Sequence, residues 1–262
     1  MTITTTTTTV LSYFEDTYKL VDQAKVLQII DSSSPPDPAL IPLFSKHSAA
    51  LVLDHTLFYP QGGGQPTDTG TIVSSCHSGA VFNVRHVGSH KGTVYHLGSF
   101  ADQPFDDSSA ESLVVQMNVD KETRLANARC HSGGHVIFSV VKSSGWPMVE
   151  KKGHHFADGA YVEFEGIMPE AVSKEEFQKT IDDVVSADMP VSVIAVDGQD
   201  EGGQRRFVQV GDFEQNACGG THVRSTGELG RIVIKKVARR KGQNVTKISY
   251  AIESNSDSLS SQ

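Results

Sequence analysis

Cysteine is scarce. Only Cys76, Cys130 and Cys218 occur in 262 residues. Three thiols cannot all pair within one chain, so a disulfide-stapled scaffold is excluded and a reducing compartment is expected. Long apolar runs are also missing. None approaches the roughly 20 residues that a bilayer span needs, so no membrane association is expected. No basic residue precedes Lys19, and MTITTTTTTV carries neither the apolar core of a secretory signal nor the arginines of a transit peptide. A cytoplasmic location is therefore expected. Net positive charge is lacking too. Lys and Arg total 23 against 31 Asp and Glu, a formal charge of -8. That excludes a uniformly basic nucleic-acid coat, though not a local basic face. No internal repeat is present.

What is there suffices for a globular protein, with 38% hydrophobic and 21% charged residues. Short strand patterns separated by glycine turns fill the first part: Tyr18–Ile30, Ala49–Leu53, Gly70–Ser74, Val81–Val87 and Thr93–Leu97. This spacing predicts a small antiparallel barrel or sandwich. The acidic stretch Ala101–Ser109 places the domain boundary near residue 110. Beyond it the pattern alternates: a strand over Ser112–Val119, a helix over Lys121–Lys142 with Asp120 as N-cap, and a strand over Ala160–Phe164. A second helix over Ser173–Ala187 opens on a Ser173/Glu176 capping box. Strands over Val191–Val196, Phe207–Val210, Leu229–Val237 and Val245–Ile252 follow. The predicted class is α+β, with a β-barrel domain over 1–110 and an α+β domain over 111–262. The threonine-rich start and the terminal SNSDSLSSQ read as frayed tails.

Two short motifs carry metal chemistry. His131-Ser-Gly-Gly-His135 places two imidazoles one turn apart on the same helix face. Cys218-Gly-Gly-Thr-His222 adds a thiol and an imidazole, with glycines that let the backbone fold tightly. Either pair alone is weak. Together, in one predicted domain, they supply the four ligands of a tetrahedral Zn²⁺, one per chain. The glutamate of HExxH is absent, so the zinc-protease reading loses its general base. His154 and His155, in a Lys-Lys-Gly-His-His run, read as a solvated loop, with a place at a pocket rim as the other reading. Phe58–Gly70 (FYPQGGGQPTDTG) holds three consecutive glycines but lacks the Gly-Lys-Ser/Thr ending of a Walker A loop. It suits a strand-connecting turn or an anion-binding backbone. Between Arg231 and Lys247 lie seven Lys or Arg residues and no Asp or Glu, which suits phosphate contact or a lysine-protected strand edge.

FYPQGGGQPTDTG, the helix with HSGGH, HFADGAYVEF (His155–Phe164) and CGGTHVRSTGELG (Cys218–Gly230) resemble the free-standing alanyl-tRNA editing proteins of the AlaX type. These are relatives of the editing domain of alanyl-tRNA synthetase. The resemblance runs in order over roughly Leu51–Ile252. It implies a β-barrel carrying the glycine-rich motif and a zinc-containing editing domain, with zinc on His131, His135, Cys218 and His222. It implies ATP-independent deacylation of mischarged tRNA(Ala), chiefly Ser-tRNA(Ala) with Gly-tRNA(Ala) as a further substrate, and no obligate protein partner. Ser132, Thr221 and Asp158 are the expected substrate contacts. Gly62, Gly63, Gly64, Gln65, Arg239 and Arg240 are expected to position tRNA. Two other readings stand beside it: a non-catalytic zinc-stabilised RNA-binding module, and a zinc amidohydrolase acting on small amino-acid derivatives.

Overall fold

The computed structural model describes residues 8–75, 79–105, 113–196, 205–239 and 242–253. Cys76, Arg240 and nearly all of both expected tails lie outside the described residues. The chain groups into two compact units. One is Met1–Gly62 with Pro66–Arg124; the other is Gly63–Gln65 with Leu125–Gln262.

The first unit is built on six strands: β1 (Val21–Asp31), β2 (Ala49–Leu53), β3 (Gly70–Ser74), β4 (Val81–His90), β5 (Thr93–Phe100) and β6 (Val114–Val119). They close into a barrel in the order β1-β2-β5-β4-β3-β6, every pairing antiparallel. Period-two alternation explains the interior: Val115, Met117 and Val119 of β6 are buried, while Gln116 between them is exposed. They pack with Leu51, Leu53, Ile72, Phe82 and Val84. β2 reads as an unbroken apolar run because both of its faces are covered. Ala50 and Val52 meet Leu40 and Phe44 on the side opposite the main core. Closure by β6 corrects the expected boundary at residue 110, which assigned this strand to the second domain. An acidic loop is a plausible linker by composition, but β6 bonds to β1 and β3 on both sides and belongs to the barrel.

A buried ion pair anchors the glycine-rich segment's C-terminal side. Arg124 and Asp68 are both fully buried. Arg124 Nε donates to Asp68 Oδ2 at 2.9 Å and Nη1 to the Thr17 carbonyl at 2.8 Å, while the Tyr59 N–H donates to the same Asp68 oxygen at 2.7 Å. Both ends of the Tyr59–Asp68 segment are thereby fixed.

The second unit begins inside helix α1 (Lys121–Ser143). Asp120 caps it, its carboxylate accepting the Thr123 N–H at 2.7 Å. Gly133 and Gly134 do not interrupt the helix; Gly145, at φ 65°, ends the turn that follows it. After β7 (Val149–His154) and β8 (Tyr161–Glu165) comes α2 (Lys174–Ser186), opened by the Ser173/Glu176 capping box. Its Phe177, Ile181 and Val184, spaced four and three apart, form the buried face. β9 (Val191–Val196) and β10 (Arg205–Val210) pair with each other, and Asn216–Ala217 adds a short third strand. β11 (Arg231–Arg239) and β12 (Val245–Glu253) complete an antiparallel sheet in the order β11-β12-β8-β7. α1 and α2 contribute to one core with this sheet, through Ile137, Val141, Phe177 and Ile181 against Val162, Phe164, Ile232 and Ile248. The α+β class expected for this region is present. β7 was missed because Glu150, Lys151 and Lys152 give it no apolar alternation. No helix among the described residues is long and apolar enough to cross a membrane.

Candidate metal centre

α1 presents His131 and His135 one turn apart, and the loop after the short strand Asn216–Ala217 presents Cys218 and His222. Their ligand atoms all lie within 4.8 Å of one another, and this is the one His/Cys/Asp/Glu group of its kind among the described residues. The Cys218 sulfur is 3.4 Å from His131 Nε2 and 3.4 Å from His222 Nε2. Tetrahedral zinc with Zn–S of about 2.3 Å and Zn–N of about 2.0–2.1 Å requires S···N separations of about 3.5 Å. The spacing therefore fits such an ion. His135 Nε2 is buried without a hydrogen-bond partner among the described residues, which is the condition of a ligand atom awaiting a cation.

Hydrogen-bond logic fixes which nitrogen of His131 is free. The Thr221 N–H donates to Gln65 Oε1 at 3.0 Å, and Gln65 Nε2 donates to Thr221 Oγ1 at 2.9 Å, so the amide orientation is set. The same Oε1 lies 2.7 Å from His131 Nδ1. An amide oxygen can only accept, so Nδ1 carries the proton and Nε2 presents its lone pair toward Cys218. This is the outer-shell arrangement by which ligand histidines are oriented in metal sites.

Electrostatics agree. Burial lowers His135 to about 3 and holds His131 and His222 well below the usual imidazole range, so all three are neutral at pH 7. Burial pushes the Cys218 thiol up to about 11. A bound cation reverses that, because a coordinating thiol is deprotonated outright. The Gly220 N–H, 3.4 Å from the sulfur, is placed to support the thiolate.

The glycines of the motifs are explained by close approach. A Cβ at residue 220 would fall 2.1 Å from His131 Cε1, and one at residue 64, where φ is 82°, 2.4 Å from the Gly153 carbonyl oxygen. Gly63, Gly64 and Gln65 belong to the same unit as the ligands. The expected separation of the glycine motif from the metal is thus corrected. The Gly64 carbonyl accepts the His155 N–H at 2.8 Å, and Gln65 touches a ligand. Gly62 stays with the barrel unit, its carbonyl accepting the Tyr59 hydroxyl at 2.9 Å.

The other expected site residues fall differently. Ser132 is fully buried and its hydroxyl oxygen accepts the Val223 N–H at 3.1 Å, so it ties the Cys218 loop to α1. Thr221 is fully buried and engaged with Gln65. Both hydroxyls are thus engaged within the fold, Ser132 with Val223 and Thr221 with Gln65. Asp158 is exposed in the turn between β7 and β8. Two charges of the basic run lie near carboxylates distant in sequence, Arg231 3.9 Å from Asp182 and Lys235 3.4 Å from Glu253, and Lys247 Nζ lies 3.4 Å from the centre of the Tyr161 ring. Arg239 is exposed at the end of β11, and Arg240 lies outside the described residues.

Two participants escaped the sequence reading. His155, expected in a solvated loop, is 5% exposed and stacks on His131 with ring centres 4.5 Å apart. Burial lowers it to about 4. Tyr250 of β12 meets it, with its hydroxyl 2.7 Å from His155 Nδ1. The HFADGAYVEF segment, which begins at His155, was the available signal for it; nothing local marks Tyr250.

Comparison with known proteins bears on these motifs. Residues 3–123 match the family of class II (A) tRNA synthetases, and residues 206–248 match the second additional domain of threonyl and alanyl tRNA synthetases. The alanyl-tRNA editing protein AlaX-M of Methanosarcina acetivorans is 29% identical, over 74% of this chain and 85% of its own length. AlaX-L of Pyrococcus horikoshii is 26% identical, over 91% of this chain and 56% of its own length. The alanine–tRNA ligase of Pyrobaculum calidifontis is 32% identical over 87% of this chain, which spans 25% of that enzyme. The chain is thus a homologue of the AlaX-type alanyl-tRNA editing proteins and of the matching quarter of alanine–tRNA ligases.

Proposed function

We propose that this protein hydrolyses mischarged tRNA(Ala), chiefly Ser-tRNA(Ala) with Gly-tRNA(Ala) as a further substrate, at a single zinc held by His131, His135, Cys218 and His222. One observation carries the reading. The two motifs shared with editing proteins meet on one ligand, Gln65 of the glycine-rich segment and Thr221 of CGGTH both engaging the network that orients His131.

The need for such an activity follows from discrimination energetics. Serine is alanine plus a hydroxyl, and a small apolar pocket rejects that addition by only about 100-fold. A second, hydrolytic site can demand the hydroxyl and spare alanine. Water attacks the ester carbonyl, the bond to the terminal ribose oxygen breaks, and free amino acid and uncharged tRNA leave. Bound zinc supplies Lewis acidity to this chemistry. The chain's own residues supply placement: Gln65 holds the His131 ring, Ser132 holds the Cys218 loop, and Arg239 with Arg240 contacts phosphate, a contribution that falls mainly on KM. The editing chemistry belongs to the unit that follows Arg124, together with Gly63–Gln65.

The test is deacylation of Ser-, Gly- and Ala-tRNA(Ala) measured side by side with the metal-loaded protein. Hydrolysis of the first two with Ala-tRNA(Ala) spared is expected. Tight tRNA binding without turnover overturns the proposal in favour of a zinc-stabilised RNA-binding module. Hydrolysis of free aminoacyl esters at the same rate with or without tRNA overturns it in favour of an amidohydrolase.

A further inference from the structure

His155 lies against the ligand cluster but is not part of it. Its ring is parallel to that of His131 within 23°. The Tyr250 hydroxyl has one proton, and it donates it to the Cys130 carbonyl at 2.7 Å. The same oxygen, 2.7 Å from His155 Nδ1, must then accept from it. The proton of the neutral imidazole is therefore on Nδ1, and Nε2 is left as a pure acceptor.

The surroundings pack closely on the ring but, among the described residues, give that acceptor no donor. A Cβ at residue 153 would sit 2.4 Å from Nε2, one at residue 134 would sit 2.4 Å from Cε1, and one at residue 64 would sit 3.2 Å from Cδ2. Three glycines from three different segments make room for this ring, and Gly153 packs against Nε2 without capping it. Nε2 takes no hydrogen bond among the described residues. The result is a rigidly oriented imidazole, anchored by its other nitrogen, with one unused lone pair beside the metal cluster.

On the reading given under Proposed function, the group held at this cluster is an aminoacyl ester. We propose that His155 is a specificity-determining residue whose Nε2 accepts the side-chain hydroxyl of a seryl group. Alanine offers no donor in that position and leaves the acceptor unpaired, which is the strongest form of discrimination a polar site can exercise. Glycine lacks the hydroxyl as well and leaves the acceptor unpaired, so this contact favours a seryl group over both and is not what admits a glycyl group.

The experiment replaces His155 by Phe, which keeps an aromatic ring on His131 and removes the acceptor. Zinc content and deacylation of Ser-tRNA(Ala) and Gly-tRNA(Ala) are measured on the holoprotein. The expected result is unchanged zinc, an unchanged glycyl rate, and a seryl kcat/KM lower by about ten- to hundredfold. His155→Gln, which offers an amide oxygen, is expected to restore part of the seryl preference; it also serves if the Phe variant does not fold. Equal loss on both substrates overturns the assignment, because the contact would then be to a group common to both. Loss of zinc overturns it too, reducing His155 to support for His131. Wild-type protein inactive on every mischarged tRNA would remove the functional reading itself. Active wild type with an unaltered seryl-to-glycyl ratio in the Phe variant would remove only this inference.

Discussion

Gln65 offers the sharpest test of how the metal centre is held. Its Oε1 accepts from His131 Nδ1 at 2.7 Å and from the Thr221 N–H at 3.0 Å, and its Nε2 donates to Thr221 Oγ1 at 2.9 Å. Gln65→Leu keeps the volume and removes all three bonds. Loss of an outer-shell partner of a ligand histidine costs about 10–100-fold in metal affinity, or about 1.4–2.7 kcal/mol. The Thr221 N–H, buried and left without its acceptor, adds about 1–3 kcal/mol of folding destabilisation. The two effects are separable. Competition against a chromophoric chelator reads zinc affinity, and thermal unfolding of the metal-loaded and metal-stripped protein reads stability. Gln65→Glu keeps both acceptor contacts, since the Thr221 hydroxyl can donate in turn, and should bind zinc within a few-fold of wild type. Gly64→Val, whose Cβ meets the Gly153 carbonyl, should lose zinc alongside Gln65→Leu. Zinc affinity unchanged in Gln65→Leu would refute the argument that Gln65 orients His131.

Two further predictions follow from burial. Cys218→Ala should lower zinc affinity and deacylation together, and Cys218→His should retain part of both, because a nitrogen ligand replaces sulfur. A Cys218→Ala protein that keeps its zinc yet is inactive, with a seryl thioester trapped on the wild type by rapid quench and mass spectrometry, would make Cys218 a nucleophile instead. In the barrel, fully buried His96 accepts from the Thr56 hydroxyl at 2.7 Å and donates to the Leu51 carbonyl at 3.0 Å, and burial lowers its pKa to about 4. Between pH 6.5 and 4 the unfolded chain binds the extra proton, so stability falls as pH falls, by about 3 kcal/mol in total from this group. The urea midpoint of wild type relative to His96→Gln should therefore decline over that window and be flat above pH 7. A constant difference from pH 7.5 to 4.5 would contradict a neutral buried His96.

The sequence alone determined the features that obey local rules. The capping box at Ser173, the N-cap at Asp120 and the alternation of β6 depend on neighbours within a few residues, so their pattern is visible before folding. The group His131, His135, Cys218 and His222, which could hold a metal ion, was legible for the same reason. Each pair sits at a spacing that one helix turn or one tight loop brings together, and Cys and His are the residue types zinc selects. The tertiary structure decided the rest. β6 joined the barrel because pairing on two edges outweighs an acidic linker in sequence. Asp182 and Glu253, outside the basic run, lie close to two of its charges, which a count of charges along the chain cannot register. Gln65 reached His131 across 66 residues and Tyr250 reached His155 across 95. Hydrogen bonds of that separation exist only once the chain has closed, and they set which imidazole nitrogen carries its proton. Residue type supplied the candidate ligands; the direction of their lone pairs belongs to the fold.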